Sequence, residues 1–199
     1  MKLAKSNKGP VSDKLMIKRM AGILTQEGYD EKIADVIGKL LTYMRKNYLT
    51  GAGKPVSAAL YVALSELGFQ PQICTGQIRT PAGKLVENTW LLLNGKVIDL
   101  AVYMPLRDPI NSISGPVVLG IDLITMQPAA SEYGVISDMP LIEEVSDGLS
   151  MPFMKFMNGF PLEREGLWTV VVNILPPEMN VRTIDLKERY PDVQENFVG

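Results

Sequence analysis

The chain has 199 residues, of which 46% are hydrophobic and 21% are charged, and its formal net charge is −2. A chain of this length and composition can bury one substantial core, so we expect a single domain with elaborations. The near balance of charge excludes bulk electrostatic attraction to nucleic acid or to a membrane, and no stretch approaches the ~20 apolar residues that a membrane span requires.

The first twenty residues are basic, because six lysine and arginine residues stand there against one aspartate. We expect residues 1–11 to form a basic N-terminal arm, which either contacts an anionic partner or frays as a solubilising terminus. The arm is not followed by the apolar run and small-residue cleavage site of a signal peptide. We therefore expect a cytoplasmic protein.

Three helices are predicted in the first third of the chain. Ser12 or Asp13 can cap the first helix, and Asp30 can cap the second. The third helix follows a glycine-rich turn and stops at Gly68. The predicted buried faces are, in chain order, Leu15, Met16, Met20, Ile23 and Leu24 (to about Gln26), then Ile33, Val36, Ile37, Leu40, Leu41 and Met44 (to about Asn47), then Val56, Ala59, Leu60, Ala63, Leu64 and Leu67.

After the third helix the pattern is typical of strands. The stretches "PQICTGQI" and "LVENTWLLL" read as two strands joined by the turn "TPAG". Asn94-Gly95 is a strong hairpin signal that leads into "KVIDLAV". Residues 70–103 are therefore predicted to form an antiparallel meander packed on the third helix. This segregation of helices and strands makes the expected class α+β.

The second half of the chain carries weaker signals. Residues 104–147 are rich in Pro, Gly and Ser, and we expect loops with short elements there. The Met-rich stretch "SMPFMKFMNGF" is a short amphipathic segment, either a core element or an adaptable contact surface. "GLWTVVVNIL" fits a strand or a helix, and helix is favoured because "LERE" offers a solvated first turn. "TIDLKERY" predicts a last helix that ends before Pro191.

The chain contains no histidine and one cysteine, Cys74. Histidine is the usual general base near neutral pH and the commonest metal ligand, so catalysis by Ser-His-Asp or Cys-His-Asn and most zinc sites are excluded. A single cysteine also excludes an internal disulfide and a multi-cysteine zinc site. We expect no cofactor and no metal. A lysine or carboxylate base and a carboxylate-bound Mg²⁺ remain open.

The stretch "LTGAGKPVSAALYVALSELG", residues 49–68, superficially resembles a phosphate-binding loop. That motif requires a glycine five residues before the Gly-Lys pair, where this chain has Tyr48, and a hydroxyl after the lysine, where it has Pro55. The loop also follows a predicted helix instead of a buried strand. We exclude nucleotide binding of that kind.

The order of elements over residues 38–105 resembles the transglutaminase-like branch of the papain-like cysteine-protease fold, which includes the leader-peptide proteases of lasso-peptide clusters. In that family a cysteine begins a helix, four residues before a small residue. Counting back from Ser57 places it at Gly53. The family's histidine lies two residues before a tryptophan, and "ENTW" puts Asn88 there, ahead of Trp90. The family's acid follows the next hairpin, where this chain has Asp99.

The resemblance implies a pseudoenzyme. In the family the helix N-terminus favours a thiolate, the histidine moves the proton, and the acid orients the histidine. Glycine has no side chain, and an asparagine amide does not transfer protons near pH 7. We therefore expect no catalytic residue, only the vestigial triad positions Gly53, Asn88 and Asp99. Residues 12–105 are expected to form a transglutaminase-like core with N-terminal helices, and residues 106–199 a C-terminal elaboration of the same domain.

The cleft of the parent fold would still bind a peptide without cutting it. The expected binding residues are Gly51, Gly53, Lys54, Asn88, Trp90 and Asp99. Glycine amides at the helix start and the Lys54 ammonium would receive an anion or a carboxylate, and Asn88 with Asp99 would hold an amide. A purely structural interpretation is also open for three residues. Trp90 and Cys74 would be core residues, and Asp99 would be a hydrogen-bonding residue at a strand end.

Three functions are left open by the sequence. The first is a catalytically inactive transglutaminase-like protein that binds another protein or a peptide, including a bacteriophage accessory or virion component, since this group occurs in bacterial and phage genomes. The second is an amide-bond hydrolase or transferase with non-standard residues such as Lys54, Thr50 or a carboxylate pair with metal. The third is a structural assembly subunit, for which we would expect a homo-oligomer. Contact with nucleic acid is expected only through the basic arm, and none with a membrane.

Overall fold

The computed structural model describes residues 11–104, 114–136 and 151–198, and it has the predicted α+β class. Six helices and a curled, mainly antiparallel sheet make up the described part of the chain, with helices first, strands next and a helical C-terminal part. Residues 1–10 of the predicted basic arm lie outside the described residues, as do parts of the predicted loop region 104–147.

Helices α1 (Asp13–Gln26), α2 (Glu31–Lys46) and α3 (Gly53–Glu66) lie where the sequence predicts them. Ser12 caps α1 by accepting a hydrogen bond from the Leu15 amide at 3.3 Å, and Asp30 caps α2 by accepting one from Lys32 at 2.8 Å. Gly68 follows α3 with a φ of +86°, a backbone conformation that favours glycine at the end of a helix.

Two details of the helical faces differ from the prediction. Leu15 is 41% exposed, because it lies at the edge of the α1 stripe and not on its buried centre. Helix α3 is buried on more than the predicted stripe, since Ser57, Ala58 and Val62 are buried as well. The reason is its central position, where α2, the sheet and a later helix all pack against it.

The main sheet contains five strands: β1 (Gln72–Arg79), β2 (Leu85–Leu93), β3 (Lys96–Ile98), β6 (Glu132–Tyr133) and β7 (Asn196–Val198). Their order in the sheet is β3-β2-β1-β6, and β7 also pairs with β1. The β1-β2-β3 meander is the predicted one, and Asn94 and Gly95 both have positive φ, as a two-residue hairpin turn requires. The sheet is not purely antiparallel, however, because β7 runs parallel to β1.

The third strand is shorter than predicted, because it ends at Ile98 and Ala101–Tyr103 of "KVIDLAV" form a 3₁₀ turn. In the described part of the predicted loop region, β4 (Val117–Val118) pairs with β5 (Ile121–Asp122). Asp99 and Val117 form an isolated bridge, with hydrogen bonds of 2.9 and 2.8 Å in the two directions. This bridge fixes the backbone that carries Asp99.

The C-terminal part contains α4 (Phe153–Asn158), α5 (Leu167–Ile174), a 3₁₀ turn (Pro177–Met179) and α6 (Thr183–Arg189). The helix prediction for "GLWTVVVNIL" is confirmed, but "LERE" forms turns and not its first turn, because the helix begins only after Gly166, whose φ is +64°. Phe153 and Met157 of the Met-rich segment are buried in the main core. No helix in the described ranges is both long enough and apolar enough for a membrane span.

Candidate functional site

The three positions that the resemblance assigns to a triad, Gly53, Asn88 and Asp99, converge in the structure. Gly53 is the first residue of α3 and Asn88 lies on β2. A Cβ atom built on Gly53 would lie 2.1 Å from the Asn88 Oδ1 atom and 3.2 Å from the backbone nitrogen of Thr89. The helix start and the strand are therefore in direct contact, and the space a nucleophile's side chain would need is filled by the Asn88 amide.

Asn88 connects this contact to Asp99. The Asn88 Nδ2 atom donates a hydrogen bond to the Asp99 Oδ2 atom at 2.6 Å. Tyr133 of β6 donates to the same oxygen at 3.1 Å, while the backbone amides of Ala101 and Val102 donate to Oδ1 at 3.1 and 3.0 Å. Four donors converge on one carboxylate that is 1% exposed, and this satisfies the residue while holding Asn88 in place.

The burial of this network alters its protonation. Removal from water raises the pKa of Asp99 to about 6, although the hydrogen bonds from Val102, Tyr133, Ala101 and Asn88 act in the opposite direction. Burial also raises the pKa of Tyr133, and the neighbouring Asp99 charge adds to this effect, so Tyr133 stays a hydrogen-bond donor at neutral pH. Burial therefore brings the titration of Asp99 closer to neutrality than that of an exposed aspartate.

Trp90 and Cys74 lie in a second hydrophobic cluster on the face of the sheet that carries Asn88. Both are 2% exposed, and Cys74 pairs with Trp90 across β1 and β2. The Trp90 and Tyr133 rings meet edge to face with centroids 5.2 Å apart. Trp90 and Cys74 are therefore core residues here, and neither presents a surface to solvent.

Cys74 is expected to react slowly with thiol reagents. Burial raises the pKa of its thiol, and both the loss of thiolate and the loss of access slow alkylation. We expect the native chain to be alkylated by iodoacetamide more than about tenfold more slowly than the urea-unfolded chain. Mass spectrometry of timed samples measures this ratio, and equal rates in the two states would contradict a buried thiol.

Lys54, the next residue of α3, has partners that the sequence did not predict. Its Nζ atom lies 2.9 Å from the Glu195 Oε1 atom and 4.8 Å from the centre of the Phe156 ring. Thr75 of β1 donates a hydrogen bond to the other Glu195 oxygen at 3.3 Å. The carboxylate expected next to Lys54 is thus supplied by the chain itself. No sequence pattern relates Glu195 to Lys54, so the sequence analysis does not predict this contact.

The hydroxyl groups near the helix start are not arranged as nucleophiles. Ser57 is buried and donates to the carbonyl oxygen of Thr89 at 2.9 Å, whereas Thr50 is exposed. Gly51 is also exposed, and its amide donates to the carbonyl of Met104 at 2.8 Å. Pro55 has no N–H group, which reduces the donors that the first turn of α3 offers to an anion.

Six predicted binding residues therefore have different environments. Gly53, Trp90 and Asp99 are buried, Lys54 and Asn88 are half-buried, and Gly51 is exposed. The part of the chain that the structure describes holds no group of three or more acidic or cysteine side chains placed to bind a metal ion. Comparisons of this chain with models of known protein families, with curated proteins and with solved structures found no match.

Proposed function

We propose that this chain is a catalytically inactive, transglutaminase-like protein that acts by binding a protein or a peptide. The convergence of Gly53, Asn88 and Asp99 supports the proposal. Gly53 begins a helix, as the family's cysteine does, and Asn88 lies on a strand two residues before a tryptophan, as the family's histidine does. The buried Asp99 corresponds to the family's acid. The Asn88 amide takes the place of an imidazole, donating to the acid as the family's histidine does.

The chemistry of these residues favours binding over catalysis. Glycine supplies no nucleophile, and an amide neither takes nor returns a proton near pH 7. Removal of nucleophile and base together reduces a triad to binding effects alone. What remains is a preformed polar site beside a sheet edge, with Lys54 and Thr75 already holding a carboxylate.

Restoring the two lost residues tests this assignment. In a Cys74→Ala background, we expect Gly53→Cys with Asn88→His to give a thiol that iodoacetamide alkylates at pH 6 about tenfold faster than the thiol of Gly22→Cys. Gly22→Cys is the reference for an ordinary accessible thiol, because Gly22 is helical and exposed and a Cβ there meets nothing within 4 Å. Gly53 is buried, which by itself slows alkylation, so a faster reaction at position 53 reports activation of the thiol. The physical reason is that the helix N-terminus and an imidazolium both favour a thiolate.

Two results would count against the proposal. The first is an introduced thiol at position 53 that reacts no faster than the thiol at position 22 while circular dichroism shows a folded chain. The second is hydrolysis or transfer of any amide by the purified wild-type protein, which would favour an enzyme with non-standard residues. Amide turnover is measured with a mixture of peptides analysed by mass spectrometry.

A further inference from the structure

The outer edge of β1 contacts the segment 191–198 through strand β7 and through Glu195, and we call the surface formed by Lys54, Thr75, Gly76 and Gly134 the β1 edge groove. Strand β7 of this segment pairs in parallel with β1, so that Cys74, Thr75 and Gly76 stand opposite Asn196, Phe197 and Val198. The same edge of β1 pairs with β6 at Ile78 and Arg79. The segment thus adds a short strand to an edge that β6 covers only in part, which is the geometry of strand addition by a peptide.

Two glycines give the segment room. A Cβ on Gly76 would lie 2.0 Å from the carbonyl oxygen of Val198, and a Cβ on Gly134 would lie 2.6 Å from the Val198 Cγ1 atom. Any larger residue at either position would push Val198 away from the sheet. The groove is therefore shaped at its far end for a backbone and a β-branched side chain.

A largely desolvated ion pair between Lys54 and Glu195 anchors the other end of the segment. The side chains of Lys54 and Glu195 are 12% and 9% exposed, and their charged atoms are 2.9 Å apart. The Thr75 hydroxyl donates to the second carboxylate oxygen and lies 3.0 Å from the Thr89 hydroxyl. Because little of either side chain is exposed, replacing Glu195 would leave the Lys54 ammonium without this carboxylate in a largely desolvated position, so the groove favours an acidic residue there.

The residues between the two anchors contribute little side-chain burial. Asn196 is exposed and Phe197 is 63% exposed, so their backbone pairs with β1 while their side chains face solvent. The groove therefore recognises a backbone in extended conformation, an acidic residue, and a β-branched residue three positions later. This pattern is simple enough to occur in another protein.

We propose that the β1 edge groove binds an extended acidic peptide of a partner protein, and that the segment 191–198 is its resident intramolecular ligand. The partner carries a glutamate three residues before a valine or a similar β-branched residue, with the glutamate on Lys54 and Thr75. This inference rests on the proposed function as a binding protein and names the class of peptide that it binds.

The resident segment 191–198 and a partner peptide would compete for the groove, and this competition sets the measured affinity for the partner peptide. A tethered segment is present at an effective concentration on the order of millimolar, so it weakens the binding of a free peptide to the same groove. Loosening the resident segment should then expose the groove. This gives the proposal a direct measurable consequence.

The test uses the full chain and a fluorescein-labelled peptide with the sequence PDVQENFV, which is that of residues 191–198. We expect the variant Glu195→Ala with Val198→Asp to bind this peptide at least about tenfold more tightly than the wild-type chain does, by fluorescence anisotropy. A matched control, Asp192→Ala with Phe197→Asp, makes the same kinds of change at exposed positions of the segment, and should bind like the wild type.

Exchanging the charges of Lys54 and of the peptide glutamate tests whether this ion pair anchors the peptide. Adding Lys54→Glu to the loosened variant should weaken peptide binding about tenfold or more, and a peptide with lysine in place of its glutamate should restore it. Equal affinity of the wild-type chain and the loosened variant, or no effect of Lys54→Glu, would overturn the proposal. Wild-type dimers that the peptide does not displace would assign the groove to a second copy and also overturn it.

Two controls keep the result interpretable. Thermal unfolding followed by circular dichroism shows that each variant is folded, and the single Glu195→Ala variant replaces the double variant if the latter is not. The thiol test of the triad positions leaves Lys54 and Glu195 unchanged. If the introduced thiol at position 53 is reactive but the peptide does not bind, this inference alone is overturned. If the peptide binds but the introduced thiol has ordinary reactivity, the pseudoenzyme assignment alone is overturned.

Discussion

Replacement of Gly53 by alanine is expected to lower the free energy of unfolding by about 1–3 kcal/mol, the usual cost of forcing extra volume into a packed site. The added Cβ would lie 2.1 Å from the Asn88 Oδ1 atom, so the Asn88 side chain must move. That movement breaks the 2.6 Å hydrogen bond to Asp99. A buried carboxylate then loses one of its donors, which adds to the steric cost.

The matched control is the same substitution at Gly22 in α1, where a Cβ meets nothing within 4 Å. Gly22→Ala is expected to raise the free energy of unfolding by about 0.5–1 kcal/mol, because alanine loses less backbone entropy than glycine in a helix. Urea unfolding followed by tryptophan fluorescence measures both variants. If the free energy of unfolding falls for Gly53→Ala and rises for Gly22→Ala, the loss at position 53 comes from the local clash and not from a general effect of alanine.

A double-mutant cycle locates the clash at Asn88. In an Asn88→Ala background the Oδ1 atom is absent, so Gly53→Ala should cost less there than in the wild-type chain, by about 1 kcal/mol or more. Additive effects of the two substitutions would show that residues 53 and 88 do not touch. They would also contradict the geometry on which the candidate site is built.

The second large effect is the pH dependence that Asp99 gives to stability. Its folded-state pKa is raised by burial from 3.8 to about 6, so between these values the native chain holds more protons at this carboxyl than the unfolded chain does. The stability contributed by this group is therefore greatest below about pH 4 and is lost as the pH rises through 6. A pKa change of this size corresponds to about 3 kcal/mol.

Asp99→Asn removes this titration and isolates its effect. We expect the difference in unfolding free energy between the wild-type chain and the variant to fall by about 2 kcal/mol from pH 4 to pH 7, because a small part of the total effect is already lost at pH 4. Other carboxyl groups titrate in both proteins and cancel in the difference. A difference that stays constant, or one that grows with pH, would show that hydrogen bonds outweigh burial and keep the Asp99 pKa at or below its ordinary value.

Much of the helical and hairpin structure is predictable because local signals determine it. Ser12 and Asp30 begin their helices through hydrogen bonds to nearby amides, and Asn94-Gly95 adopts the positive φ values that join β2 to β3. The proximity of Gly53 and Asn88 was expected from the resemblance to the transglutaminase-like order of elements, and not from a local signal. The helix starts and the hairpin turn are short-range features.

The remainder of the site depends on contacts between distant parts of the chain. The parallel pairing of β7 with β1, the Glu195 carboxylate on Lys54 and the Tyr133 hydroxyl on Asp99 join segments that no periodicity relates. The first turn expected for "LERE" was wrong because Gly166, packed close to the Met157 carbonyl, delays the helix start. Tertiary packing, and not local preference, decided each of these features.

The contact between Gly53 and the Asn88 amide also restricts how this sequence can change. With asparagine at position 88, a Cβ at position 53 lies 2.1 Å from the Asn88 Oδ1 atom, so a substitution at 53 alone requires the asparagine side chain to move. A smaller residue at 88 removes this contact and lowers the cost of a side chain at 53. We therefore expect the residues at positions 53 and 88 to vary together among related sequences.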